Sequence, residues 1–242
     1  GGGDGGETDT ATPTSGDGTT TAGSDSGASG SGDNFKLGVL LPFTGEYDWV
    51  GANVIPVVNM LADQINESGG VDGRQITVTR GDTQATVDAS VSAAQKLINV
   101  ENVDLIVGPT SLTFTGVTDL IKENGIPVVT PTAGTTALDD TGGEYIFRTV
   151  PSDSLGGRAI SKAARNQDFN TAAAYERMGL MVGKAPALQS FKDPIRTSFE
   201  GYGGTVTNTM DYATGKSSYQ SDVAKMLESD PELITLVGTP ED

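Results

Sequence analysis

From Lys36 to Val237 the sequence repeats one rhythm: a short apolar run, then a longer stretch with apolar residues at helical spacing. Lys36–Leu41 (KLGVLL) predicts a buried strand, and Ala52–Glu67 places Ile55, Val58, Met60, Leu61, Ala62 and Ile65 on one helical stripe. Gly69, Gly70 and Gly73 then end that helix and turn the chain. The pattern continues with strand 75–80, helix 86–99, strand 103–107, helix 114–124, strand 126–129 and a short strand at 145–148. It then restarts with helix 153–166, capped by Asp153, strand 172–175, helix 188–201 across Pro194, strand 205–210, helix 218–229 and strand 233–237. Strands alternating with helices require crossover connections, and so parallel sheets with helices on their faces. Two similar α/β lobes in tandem are expected, 35–150 and 151–242, the second incomplete.

Ligands of open parallel sheets gather beyond the carboxyl ends of the strands, where helix N-termini present unbonded N–H groups. The loops at those ends are therefore the informative ones. PFTGEYDWVG follows the first strand and holds the only tryptophan, Trp49; GPTSLTFTG follows the third and TPTAGTTALDD the fourth. Glycine, serine and threonine punctuate loops in general, yet their hydroxyls and exposed amides also cradle a carboxylate or phosphate. Convergence of three such loops on one sheet edge favours the cradle.

Composition removes competing chemistries. The chain has 242 residues, 32 acidic and 15 basic, with no cysteine and no histidine. Disulfides, thiol or histidine catalysis and zinc-finger sites are excluded, and a net charge of −17 argues against nucleic acid. G-x-G-x-x-G occurs at Gly1, Gly3 and Gly6, without the strand that a dinucleotide site needs before it. The loop after the first strand has no acidic pair of the response-regulator kind, and Asp139–Asp140 is better suited to a solvated turn than to a metal site. Ser-x-x-Lys and G-x-S-x-G are absent. Neither an enzyme nor a cofactor is expected.

Residues 1–34 stand apart. They hold 11 of the 33 glycines, six acids and no base, and three alanines but no larger aliphatic or aromatic side chain. Ordering them would cost on the order of 50 kcal/mol at ~1.5 per residue, so a disordered tether is expected, with a span of roughly 30 Å. The chain begins at Gly1 and contains no apolar run of membrane-spanning length. A processed, surface-anchored protein would leave such a start, as would trimming at an arbitrary point. Asn66-Glu67-Ser68 is a glycosylation sequon.

Taken together, KLGVLLPFTGEYDWVG, INESGGVDGRQITV with GDTQAT after it, VDLIVGPTS, GIPVVTPTAGTTALDD and YIFRTVPSD resemble the substrate-binding proteins of branched-chain amino acid ABC transporters, the Leu/Ile/Val-binding family with the type 1 periplasmic-binding fold. The likeness covers nearly all of 35–153 and extends more loosely over GYGGTV and SYQSDVAKMLESDPELITLVG. It implies two Rossmann-like lobes with a hinge, closing on a ligand in the cleft between them. It further implies an extracellular, lipid-anchored protein that meets permease subunits and touches the membrane only through that anchor. Residue by residue, it places the ligand carboxylate on Ser111, Leu112 and Thr113. Contacts to the carboxylate and ammonium fall on Thr132, Ala133, Gly134 and Thr135, an aromatic at the cleft mouth on Trp49 beside Val50, and a second-lobe contact on Thr239. Trp49 is equally compatible with a satellite core position, and Ser111 with a helix cap that also binds.

Three departures bear on the ligand. Leu112 replaces a serine and Gly134 a threonine that are usual in the family, removing two hydroxyls, and ERMGLMVGKAP lacks the usual aromatic-glycine pair. The acid that holds the ligand ammonium in the family would lie beyond Asp242. Leucine-type specificity is thus unsupported by these residues, and an amino acid, an amide, urea or another small polar ligand stays open, as does a receptor domain of the same fold. An acidic, lysine-poor domain suits concentrated salt, so a halophilic, archaeal source is expected.

Overall fold

The computed structural model describes residues 33–141, 143–165 and 174–239. Five strands, β1 (Phe35–Leu41), β2 (Ile76–Asp82), β3 (Leu105–Val107), β4 (Val128–Thr130) and β5 (Ile146–Arg148), form one sheet in the order β2-β1-β3-β4-β5, parallel throughout. Helices α1 (Asp48–Glu67), α2 (Val87–Asn99) and α3 (Phe114–Asn124) provide its crossovers. A second parallel sheet, β7-β6-β8, contains β6 (Arg177–Gly183), β7 (Thr205–Tyr212) and β8 (Leu233–Val237), with helices α4 (Asp153–Ala164), α5 (Pro186–Gln189), α6 (Lys192–Gly201) and α7 (Gln220–Leu227). The architecture is a bilobed α/β fold with one parallel sheet in each lobe.

Strand alternation explains the cores. Along β1, Leu40 points to one face and joins Ala94 and Leu97 of α2 and Phe114, Val117 and Ile121 of α3. Val39 and Leu41 point to the other and pack on Val50 and Ile55 of α1. In the second lobe Met178, Leu180 and Val182 of β6 meet Ile195 and Phe199 of α6 and Ala164 of α4. α3 stops where Gly125 adopts φ +62°, a conformation that needs no Cβ, and α1 turns out through Gly69 and Gly70 at φ +106° and +78°.

Four details differ from the sequence expectation. The first strand of the second lobe is RMGLMVG rather than 172–175. Residues 172 and 173 lie outside the described residues, and Ala174 and Tyr175 are not in a strand. β6 runs between β7 and β8, and its burial on both sides demands the near-continuous apolar run that starts at Met178. The helix expected over 188–201 is two helices, broken at Ser190 and Phe191, so that Pro194 falls in the first turn of α6, where no intrahelical donor is lost. The cap of α4 is Ser152, whose Oγ accepts from the Ser154 amide; Asp153 is the first helical residue. That helix ends at Ala164, and Asn166 lies outside the described residues. Of the tether expected at 1–34, only Asp33 and Asn34 are among the described residues.

Candidate functional site

In a β2-β1-β3 order the chain leaves neighbouring strands toward opposite faces, and a crevice opens beyond the carboxyl ends of β1 and β3. The second sheet has the same reversal between β6 and β8. A cleft of about 250 Å³ lies where these two edges meet, lined by Tyr47, Trp49 and Val50 after β1, Thr110, Ser111 and Leu112 after β3, Thr132 after β4, Ala187 and Leu188 after β6, and Gly238 and Thr239 after β8. None of these eleven side chains is charged.

The polar floor is built by the β3–α3 turn. Gly108 holds φ +109°, and a Cβ there would lie 2.1 Å from the carbonyl oxygen of Leu40, so only glycine lets the turn pass this close to β1. The amides of Thr113 and Phe114 both donate to the Thr110 carbonyl, at 3.2 and 3.1 Å. Among the described residues, those of Ser111 and Leu112 donate to no protein acceptor. Nor does a side chain cap α3. Around this helix start the hydroxyls of Thr110, Thr113 and Thr132 are buried without a hydrogen-bond partner. Leaving a buried hydroxyl unbonded costs about 1–3 kcal/mol, and two of the three, Thr110 and Thr132, line the cleft beside a helix N-terminus, where a partner bearing an acceptor would satisfy them.

Neighbouring groups hold this floor in place. Thr130 donates to the Pro109 carbonyl at 2.8 Å and accepts from the Ala133 amide at 3.0 Å, tying the β4 loop to the β3 loop. Ser111 Oγ accepts from the Thr135 amide at 3.2 Å. Asp82, at the end of β2, accepts from the Phe43 amide at 2.9 Å and the Thr44 hydroxyl at 2.6 Å, which fixes the loop leading to Trp49. Partial desolvation works against the Asp82 charge, but the Thr44 hydroxyl and the amides of Phe43 and Gln84 outweigh it and hold the carboxyl below its ordinary range.

Of the residues singled out from the sequence, Trp49, Ser111, Leu112, Thr132 and Thr239 line the cleft. Trp49 is 41% exposed, at the mouth rather than in a core. Thr113 is fully buried at the cap of α3, with its hydroxyl among the unbonded three. Ala133 is fully buried in the first-lobe core, and Thr135 holds Ser111 while accepting from the Ala137 amide. Gly134 is turned away from the cleft, because a Cβ on it would lie 2.3 Å from Asp153 Oδ1. A threonine there would meet Asp153, so this position has no hydroxyl to give the cleft. Tyr47, Thr110, Ala187, Leu188 and Gly238 were not singled out. The GPTS turn already carried the signal for Thr110, whereas Ala187 and Leu188 depend on where β6 lies.

Beyond β5 the chain crosses to the second lobe through a polar junction. Arg148 donates to Asp139 Oδ1 at 2.7 Å and to the carbonyls of Gly134 and Thr135, while the hydroxyls of Ser152 and Ser154 donate to Asp139 Oδ2 at 2.8 and 2.9 Å. Desolvation opposes the Asp139 charge, and Arg148 with the two serines overcomes it, lowering the carboxyl's pKa. Among the described residues no group of three potential metal ligands occurs, and no helix is long and apolar enough to cross a membrane.

This geometry, a crevice between two parallel-sheet lobes with a helix start at its floor, is that of a solute-binding fold. A periplasmic binding protein family model matches residues 34–242, and the chain belongs to that family, a class of binding proteins rather than catalysts. The chain is similar to the Leu/Ile/Val-binding protein BraC3 of Rhizobium johnstonii, 31% identical over 130 residues, which are 53% of this chain and 35% of the relative. It is also similar to the leucine-, isoleucine-, valine-, threonine- and alanine-binding protein of Pseudomonas aeruginosa, 28% identical over 148 residues, covering 60% and 39%. Among solved structures, an R. palustris solute-binding protein in complex with benzoate shares the fold with a TM-score of 0.73 at 23% identity, covering 84% of this chain and 55% of that one. The chain thus spans well under half of the two curated relatives and about half of the solved structure.

Proposed function

We propose that the protein captures a small carboxylate-bearing solute outside the cytoplasm for uptake by an ABC transporter. The observation that carries this reading is the pair of buried, unbonded hydroxyls that line the cleft, Thr110 and Thr132, beside the open amides of Ser111 and Leu112. A carboxylate seated there accepts from amides and hydroxyls together, at ~1.5–3 kcal/mol for each charge-assisted bond. Trp49, Leu112 and Leu188 offer an apolar wall to the rest of the ligand, adding about 1.5–3 kcal/mol for one buried side chain. Together these exceed the roughly −8 kcal/mol of micromolar binding before association costs are subtracted.

Branched-chain amino acids are the first candidates, because relatives carry them in their names. An aromatic acid is the second, supported by the benzoate-bound structural neighbour and by the lack of a charged side chain among the described residues that line the cleft. Under this reading 35–150 and 151–242 are the two lobes and Thr239 faces the ligand from the second. Permease subunits are the partners, an N-terminal lipid the only membrane attachment, and a halophilic source the setting. A receptor domain for amides or urea is the competing role. Calorimetric titration with L-leucine, sodium benzoate and acetamide tests it: either carboxylate should bind and acetamide should not, with binding reduced at least tenfold in Thr110→Val. Acetamide binding alone would overturn the carboxylate assignment.

A further inference from the structure

Asp153 lies behind the cleft and bonds the loops that carry both of its walls. Its amide donates to the Gly134 carbonyl at 2.8 Å, on the first-lobe loop that carries Thr132, and its Oδ1 packs against Gly134. Its Oδ2 is hydrogen-bonded to the hydroxyl of Ser190, in the break between α5 and α6, two residues beyond Leu188 of the second-lobe wall. The Ser190 oxygen also lies 2.9 Å from the Ala187 carbonyl, in donor geometry. A hydroxyl has one proton, and here it faces two acceptors. Ser190 can split its single proton between the two acceptors in a weaker three-centre bond, but both contacts are full two-centre hydrogen bonds only when Asp153 supplies the second proton: the carboxylic acid donates to Ser190, and Ser190 donates to Ala187.

The surrounding charges do not replace that proton. Arg148 is bonded to Asp139 and to the carbonyls of Gly134 and Thr135 rather than to Asp153. On α6, Lys192 is paired with Asp211 and Asp193 with Arg196, and Arg158 on α4 is exposed. Asp153 is only 6% exposed, so ionisation would leave a desolvated carboxylate with one hydroxyl to stabilise it. Burial is the main influence on this carboxyl and pushes its pKa above the ordinary value; the Ser190 bond and Arg148 oppose that, while Asp139 adds to it.

We propose that Asp153 is a positioning residue that holds the two cleft walls in register as a carboxylic acid, its proton bonding Ser190 and, through it, the Ala187 carbonyl of α5. Its bearing on ligand capture rests on the function proposed above; the proton relay itself does not, and the experiment needs no ligand. In the full chain, carboxyl carbon NMR should show one aspartate titrating above the ordinary range, absent from Asp153→Asn. Protection factors of the amides in 187–189, with the intrinsic base-catalysed rise of exchange divided out, should fall by up to roughly tenfold per unit of pKa difference as pH rises through that titration in the wild type. In Asp153→Asn, whose side-chain amide can donate to Ser190 at every pH, protection should stay high and independent of pH; in Ser190→Ala it should be low at all pH. A buried aspartate that merely fills space would give no pH step in protection. Titration of Asp153 at or below the ordinary aspartate value, or lower protection in Asp153→Asn than in the wild type at low pH, would overturn the proposal.

Discussion

The two walls of the cleft are built from the same strand-helix grammar, and they do different work. The first-lobe wall presents backbone amides and hydroxyls on loops pinned from behind by Thr130, Ser111 and Asp82. The second presents Ala187, Leu188, Gly238 and Thr239, mostly aliphatic or backbone surface next to a four-residue helix. Amides fixed by a sheet edge suit a charged group of invariant geometry, and an apolar wall suits a ligand body that varies; the first forms the floor of the cleft and the second its roof.

The sharpest way to break this contrast is at glycines. Gly108→Ala sets a methyl against the Leu40 carbonyl at a backbone angle only glycine adopts easily, and should cost about 3 kcal/mol or more in urea unfolding. Gly183→Ala, at the end of β6 below the second wall, meets Cδ1 of Leu188 at 2.6 Å, the far end of a side chain that can turn aside, and should cost about 1 kcal/mol. Equal losses would mean that the floor is no more constrained than the roof.

Next in size is a contrast among threonines. Thr130→Val strands the Pro109 carbonyl and the Ala133 amide and should destabilise by about 1–3 kcal/mol. Thr110→Val removes a buried hydroxyl that bonds nothing, so stability should be unchanged or rise by up to about 1 kcal/mol while benzoate or leucine binding falls. Paired unfolding and titration curves check both directions. Destabilisation by Thr110→Val would show that the hydroxyl is already satisfied.

The same contrast explains what could be read in advance. First-lobe elements follow from sequence to within about four residues at either end, because each strand of that sheet is bounded by glycine, proline or a clear amphipathic helix. The three loops that carry the floor were legible for the same reason. The roof was not: RMGLMVG, with its glycines and methionines, has little β-branched character, so only pairing with β7 and β8 settles where β6 runs. A misplaced strand moves its loop, and Ala187 and Leu188 were lost with it. Gly134 failed differently, since the direction of an absent Cβ is set by tertiary contact with Asp153.

Acid separates the junction from the rest of the surface. Asp139, Asp82, Asp104 and Asp211 all have folded pKa values below the ordinary 3.8. Their stabilisation is therefore fully present above that value and is lost as pH falls through the folded values. Asp153 has the opposite sign: its folded state favours the proton, so stability falls as pH rises from 3.8 through its raised value. Asp139→Asn should cost about 1 kcal/mol at neutral pH, at the low end for charge-assisted bonds because solvent reaches the site. It should also flatten the loss on acidification, measured as melting temperature against pH. An undiminished acid slope in that variant would place the linkage on Asp82, Asp104, Asp211 and Glu232.

Salt should produce the smallest effect and again divide the lobes. Residues 35–150 carry 14 acids and six bases, and 151–242 carry 12 and nine, so uncompensated charge is concentrated in 35–150. Raising ionic strength from 0.1 to 1 M shortens the Debye length from about 10 to about 3 Å. Repulsion between like charges more than 10 Å apart is already weakened at the lower salt, and the remainder disappears. Ion pairs in contact, such as Lys216 with Asp222 at 2.7 Å or Lys192 with Asp211 at 2.6 Å, lose proportionally less, and exposed pairs contribute under about 1 kcal/mol each. Relief of repulsion should therefore win, raising the melting temperature by roughly 2–4 °C, the shift expected for about 1 kcal/mol in a domain of this size. Hydrogen exchange should locate the gain in 35–150. Equal protection of both lobes, or no shift between low and molar potassium chloride, would remove net charge as the source of salt dependence.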